Sequence, residues 1–134
     1  MIVVDTNIIV HLHITSGQTV QAEQAFKKDP DWVAPLLWRS EFLNVLAGYI
    51  RRRTISITEA QYVMGDALHT LEGSEIPTSP MHVLELTALS ACTAYDCEFV
   101  ALAQDLGVKL VTVDKQILAQ FPETAIELDK FVGN

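Results

Sequence analysis

Four carboxylates, Asp5, Glu41, Asp96 and Asp114, have the positions and chemistry to build a metal site. Asp5 closes the apolar run Ile2-Val3-Val4, and Asp114 closes Leu110-Val111-Thr112-Val113. Each run reads as a buried strand. Ligands of open α/β sheets bind outside the carboxyl ends of the strands. If these two strands are parallel neighbours, their acids lie side by side at that edge. Asp96 starts the helix that feeds the second strand. Glu41 has Leu37 and Val45 at i−4 and i+4, on a helix face that should be buried. A carboxylate there is expensive unless it is paired or binds a metal. A turn or cap role for Asp5, and an ion pair of Glu41 with Arg39, are the plain structural alternatives. Uncompensated, the four acids would repel one another and raise their own pKa values. A divalent cation removes that penalty. With no cysteine or histidine beside them, oxygen ligands favour Mg²⁺ or Mn²⁺ over zinc.

The elements that must position these acids alternate along the chain. Strands are expected at 2–4, 32–34, 108–113 and 124–128, with a brief edge strand at 75–77. Helices are expected at 8–12, opened by Thr6 and Asn7 as caps, and at 18–28, 36–53, 58–71, 80–92, 93–107 and 115–120. Val20, Ala22, Ala25 and Phe26 form the expected inner stripe of the second helix, and Tyr62, Val63, Ala67, Leu68 and Leu71 that of the fourth. Thr58-Glu59-Ala60-Gln61 has the form of a capping box, and Pro80 suits the first turn of its helix. Alternating β and α elements favour a mostly parallel sheet covered by helices. The 134 residues fit one domain, 1–134, with no internal repeat or linker.

The net charge of −8 excludes a simple basic nucleic-acid binder, but cations held by clustered acids would change the local picture. Arg51-Arg52-Arg53 either complement a helix dipole or, with Arg39, offer a phosphate-contacting patch. Cys92 and Cys97 are spaced for neither a CxxC motif nor a disulfide framework and are expected to be reduced. His11 and His13 point in different directions on a helix and make a poor metal pair. His69 and His82 are lone histidines with no functional role expected. No signal-peptide pattern and no spanning apolar run is present, so a soluble, cytoplasmic protein without membrane contact is expected.

Val-Val-Asp5-Thr6-Asn7, Glu41 in a helix, Tyr95-Asp96 before Phe-Val-Ala-Leu-Ala, and Leu-Val-Thr112-Val-Asp114 together resemble a PIN domain. More narrowly, they are similar to the VapC-type toxins of bacterial and archaeal toxin–antitoxin pairs. The resemblance covers residues 2 to about 128. It implies a three-layer α/β/α fold around a mostly parallel five-stranded sheet. It also implies a Mg²⁺- or Mn²⁺-dependent endoribonuclease, the toxin of a type II pair, cutting single-stranded or structured RNA by metal-activated water. Asp5, Glu41, Asp96 and Asp114 match the acidic quartet; Asp5, Asp96 and Asp114, with Glu41 as a further ligand or a base, would hold the metal. Thr6 or Asn7 matches the polar residue after the first acid, and Thr112 the hydroxyl before the last. The implied partners are RNA, a small cognate antitoxin and a second copy in a homodimer. Cys97 stands where a small residue such as alanine is usual, and the neighbouring Glu98 leaves the ligand set open. Two other readings compete: a catalytically silent PIN-like scaffold, and a receiver-like phosphoacceptor. The latter lacks paired acids after the first strand.

Overall fold

Short, wholly apolar runs form the strands because helices cover both faces of the sheet. The computed structural model of the protein describes residues 1–133. β1 (Ile2–Val4), β2 (Trp32–Val33), β3 (Leu110–Thr112) and β4 (Ala125–Glu127) pair in the order β2-β1-β3-β4, all parallel. Val3 faces Leu110 and Val4 faces Val111 across the central pair. The expected fifth strand is reduced to one bridge between Ala34 and Glu75, leaving a four-stranded sheet among the described residues. Pro35 and Pro77 lie just beyond, and proline cannot donate to a ladder.

The helices are α1 (Thr6–His13), α2 (Thr19–Lys28), α3 (Leu37–Arg51), α4 (Ile57–Thr70), α5 (Pro80–Leu89), α6 (Ala94–Leu106), α7 (Lys115–Gln120) and α8 (Leu128–Val132). α1 and α6 both pack on the central strands β1 and β3; α1 also meets α2, α3 and α4, and α6 meets α5. α8 went unforeseen, and α5 stops three residues before the expected end at Cys92. Asp5 itself caps α1, in place of Thr6 or Asn7. The capping box of α4 lies two residues earlier than expected, joining Ser56 and Glu59 through both reciprocal bonds. Val20 and Tyr62, expected inside, are exposed.

On α3 the expected apolar positions Phe42 and Leu46 are buried, whereas the line of Leu37, Glu41 and Val45, also expected to face inward, is not. Trp38, Phe42 and Leu46 enter the core, and Trp38 meets Phe42 edge to face at 5.8 Å. Leu37, Glu41 and Val45 are therefore turned to the margin of the core. Cys92 and Cys97 are both free and buried. They occupy the positions before the cap and one turn inside α6, the spacing of a hydrophobic staple, which accounts for their separation. Gly107 ends α6 with φ +67, in the left-handed region that glycine enters without a Cβ penalty. Among the described residues no single helix is long and apolar enough to cross a membrane.

The observed frame of the α4 cap has a measurable consequence. Ser56→Ala should lower the unfolding free energy by about 1 kcal/mol in denaturant titration. Thr58→Ala, which removes no capping bond, should change it by less than about 0.5 kcal/mol.

Candidate active site

The β1–β3 register carries Asp5 and Thr112 to adjacent positions just past the ladder. The Asp5 backbone N–H still donates to the Val111 carbonyl at 3.0 Å. Thr112 Oγ1, fully buried, then donates to Asp5 Oδ2 at 2.7 Å. The same oxygen accepts from the Asp114 backbone N–H at 3.0 Å and from Asn7 Nδ2 at 3.4 Å. A hydroxyl has one proton and two lone pairs, so Thr112 is fully used. Asp5 Oδ1 meanwhile accepts from the Thr6 N–H at 2.8 Å. Asn7 is drawn into the same network, with Oδ1 accepting from the Val113 N–H at 3.4 Å.

Each remaining acid is held by its own device. Thr6 Oγ1 donates to Glu41 Oε1 at 2.6 Å and so ties α1 to α3. Asp96 stands in the first turn of α6, where the Thr93 cap accepts from its backbone N–H at 3.1 Å. Asp114 caps α7 through Oδ1, accepting from the N–H groups of Gln116 and Ile117. All four acids line one cleft of about 590 Å³, together with Thr6 and Asn7. That size falls within the range of about 300–1,000 Å³ usual for ligand sites. Thr112 lies beneath it, behind Asp5.

The electrostatics are those of an uncompensated cluster. Burial pushes Asp5 up from 3.8 to about 6; the Thr112 and Thr6 bonds oppose this, while the charges of Glu41 and Asp96 add to it. Burial also raises Glu41, with further repulsion from Asp96 and Glu98, against the Thr6 bond. Asp96 is raised by burial and by Asp114, against its Thr93 bonds. Among the described residues no lysine or arginine pairs with any of the four. Arg39, the alternative ion-pair partner of Glu41 and a candidate phosphate contact, instead grips Glu75 with two nitrogens, and Trp38 Nε1 donates to the same carboxylate at 2.8 Å.

This donor set fits a hard divalent cation, since the four acids, Thr6 and Asn7 offer oxygen donors, the His11 Nδ1 is engaged with Ser16, and the surplus negative charge is unpaired. Among the described residues, no three acidic, imidazole or thiol groups close directly on one point. The fit is thus to an ion that keeps part of its water shell, as Mg²⁺ does. Glu98 lines a neighbouring hollow with Thr78 and Glu75 and acts on Glu41 only through its charge. Arg51, Arg52 and Arg53 do not line the cleft. Arg51 is ten residues beyond Glu41 on α3, about 15 Å along the axis. Arg52 lies over the Tyr49 ring.

Several lining residues were not singled out from the sequence. Ser40 and Asn44 join Leu37, Glu41 and Val45 on one stripe of α3 at i, i+3, i+4, i+7 and i+8. The spacing around Glu41 would have exposed that stripe. His11 also lines the cleft, its Nδ1 2.7 Å from Ser16 Oγ.

Asp5 ionises near 3.8 when unfolded and near 6 when folded, so the native state holds the extra proton between those values. In metal-free buffer, stability should therefore fall as pH rises from about 4 to about 6.5, by up to about 3 kcal/mol from this residue. Asp5→Asn should flatten most of that slope in thermal melts taken across the range. An unchanged slope would show that Asp5 is not the group responsible.

Residues 2–124 match the family described as PIN domain. A protein named Ribonuclease VapC3, from Pyrobaculum aerophilum, is 27% identical over 124 residues, covering 90% of this chain and 95% of that protein. The crystal structure of PAE2754, from the same organism, superposes with a TM-score of 0.79 at 20% identity, covering 98% of this chain and 93% of that one. The second likeness is one of fold. The family match, spanning nearly the whole sequence, establishes that this chain belongs to the PIN domain family.

Proposed function

We propose that the chain, acting as a single domain, is a Mg²⁺- or Mn²⁺-dependent endoribonuclease and the cytoplasmic toxin of a type II toxin–antitoxin pair. The observation that carries this reading is the cleft of four carboxylates at the carboxyl edge of β1 and β3, without a lysine or arginine partner among the described residues. The likeness to a protein named as a VapC ribonuclease supports the substrate and the toxin role. A small antitoxin protein that covers the cleft, and a homodimer, complete the reading.

Asp5, Asp96 and Asp114 would hold the cation, partly through water, with Glu41 as a further ligand or the base. When bound, the cation makes a water more acidic and offsets the charge that builds on the phosphate. Glu41, its carboxyl raised by burial, accepts the proton of the attacking water at a pH closer to neutral than an exposed glutamate could. Thr6 keeps that carboxylate aimed into the cleft. Thr112 and the Thr6 N–H lock Asp5 in one rotamer, and Thr112 also fixes the backbone at Asp114. Water attacks phosphorus, the bond to the 3′ oxygen breaks, and the products carry a 5′-phosphate and a 3′-hydroxyl. Arg51, Arg52 and Arg53 contact substrate phosphates outside the cleft.

Mapping cut ends in total cellular RNA, with and without Mg²⁺, tests the reading. Cleavage should require the metal and leave 5′-phosphates; 2′,3′-cyclic phosphate ends would overturn the mechanism. Asp5→Asn should reduce cleavage by at least about a hundredfold without unfolding the protein. Replacing Arg51, Arg52 and Arg53 together by alanine should weaken RNA binding and reduce the salt slope by roughly 2, at about 0.7 for each phosphate no longer neutralised.

A further inference from the structure

Among the described residues, no lysine or arginine lines the cleft that holds the acids. No permanently charged side-chain cation among the described residues lines the point of cleavage, and the one imidazole there, His11, is engaged with Ser16. The lining offers another kind of contact. Tyr95 sits in the first turn of α6, directly before Asp96, and is 62% exposed although it borders the cleft. Val10, Leu37 and Val45 add aliphatic surface. Ser40 and Asn44 are exposed on the α3 stripe that carries Glu41. An aromatic ring with aliphatic neighbours and an amide suits the flat face and polar edge of a nucleobase. It does not suit a phosphate. Aromatic rings bind unpaired bases by stacking, tolerate any base and need no cation. In a duplex both faces of a base are already stacked, so such a site selects single strands and loops.

We propose that Tyr95 stacks on an unpaired nucleobase flanking the scissile phosphate, while Asn44 and Ser40 hydrogen-bond its edge. Tyr95 is thus a positioning residue, one that favours an unpaired base within the RNA that the ribonuclease reading implies. This rests on the ribonuclease reading above. It divides recognition into stacking inside the cleft and phosphate contact outside it.

Tyr95→Trp supplies a direct probe, because Trp32 and Trp38 are both buried and an indole at 95 would be the exposed one. A pool of short random-sequence single-stranded RNA, with Ca²⁺ in place of Mg²⁺ to slow turnover, should quench that emission. A blunt RNA duplex of the same length should not. Tyr95→Ala, which removes no core packing, should weaken single-strand binding on the order of tenfold or more. In cleavage assays the loss should appear in KM, and Tyr95→Phe should restore it. Equal binding and KM for Tyr95→Ala and a cleaving wild type would overturn the stacking role alone, as would equal quenching by the duplex. A wild type that neither binds nor cuts the pool would overturn the ribonuclease reading and this inference together.

Discussion

A single buried hydroxyl, Thr112 Oγ1, joins the sheet to the cleft. It donates to Asp5 and accepts from Asn7 and from the backbone of Asp114. Those three groups come from the ends of the two central strands and from the helix that follows the first. The parallel register of β1 and β3 sets the contact, since pairing Val4 with Val111 carries Asp5 and Thr112 to adjacent places. A slip of one residue would turn Thr112 to the other face of the sheet. Register, helix entry and acid orientation therefore depend on the same few bonds.

The cleft concentrates negative charge without a cationic partner among the described residues, whereas some acids elsewhere are paired. Glu75 is gripped by Arg39 and Trp38, and Asp29 by the N-terminal ammonium. Among the described residues the acids of the cleft have only hydroxyl and amide donors, and burial raises three of them. Donors of that kind orient a carboxylate without neutralising it. The folded chain thus carries an electrostatic penalty that a cation would relieve, while the fixed rotamer of Asp5 means little reorganisation when one arrives.

Much of the fold was legible because the local signals were strong. The apolar runs of β1 and β3, the helix 115–120, the Pro80 start and the glycine stop at 107 all appear where the sequence places them. The acids at the strand ends were legible for the same reason. Errors arose where two readings of one period compete. On α3, Leu37-Glu41-Val45 and Trp38-Phe42-Leu46 are both i, i+4 sets, and only packing shows that the second faces the core. The α4 cap was equally ambiguous between Ser56 and Thr58, and the Ser56 frame closed both reciprocal bonds. The fifth strand failed because prolines limit it to one bridge.

The sequence by itself determined which residues could do chemistry. An acid after an apolar strand, an acid on an otherwise apolar stripe and an acid opening a helix are each marked by their local surroundings, which act over a few residues. Only the tertiary structure decided that these acids share one cleft, that Arg39 is claimed by Glu75, that Arg51, Arg52 and Arg53 lie elsewhere, and that Tyr95 borders the acids. Those outcomes depend on contacts across as many as 107 residues of chain, such as Thr112 with Asp5. Local propensity does not reach over such distances; strand register and core packing do.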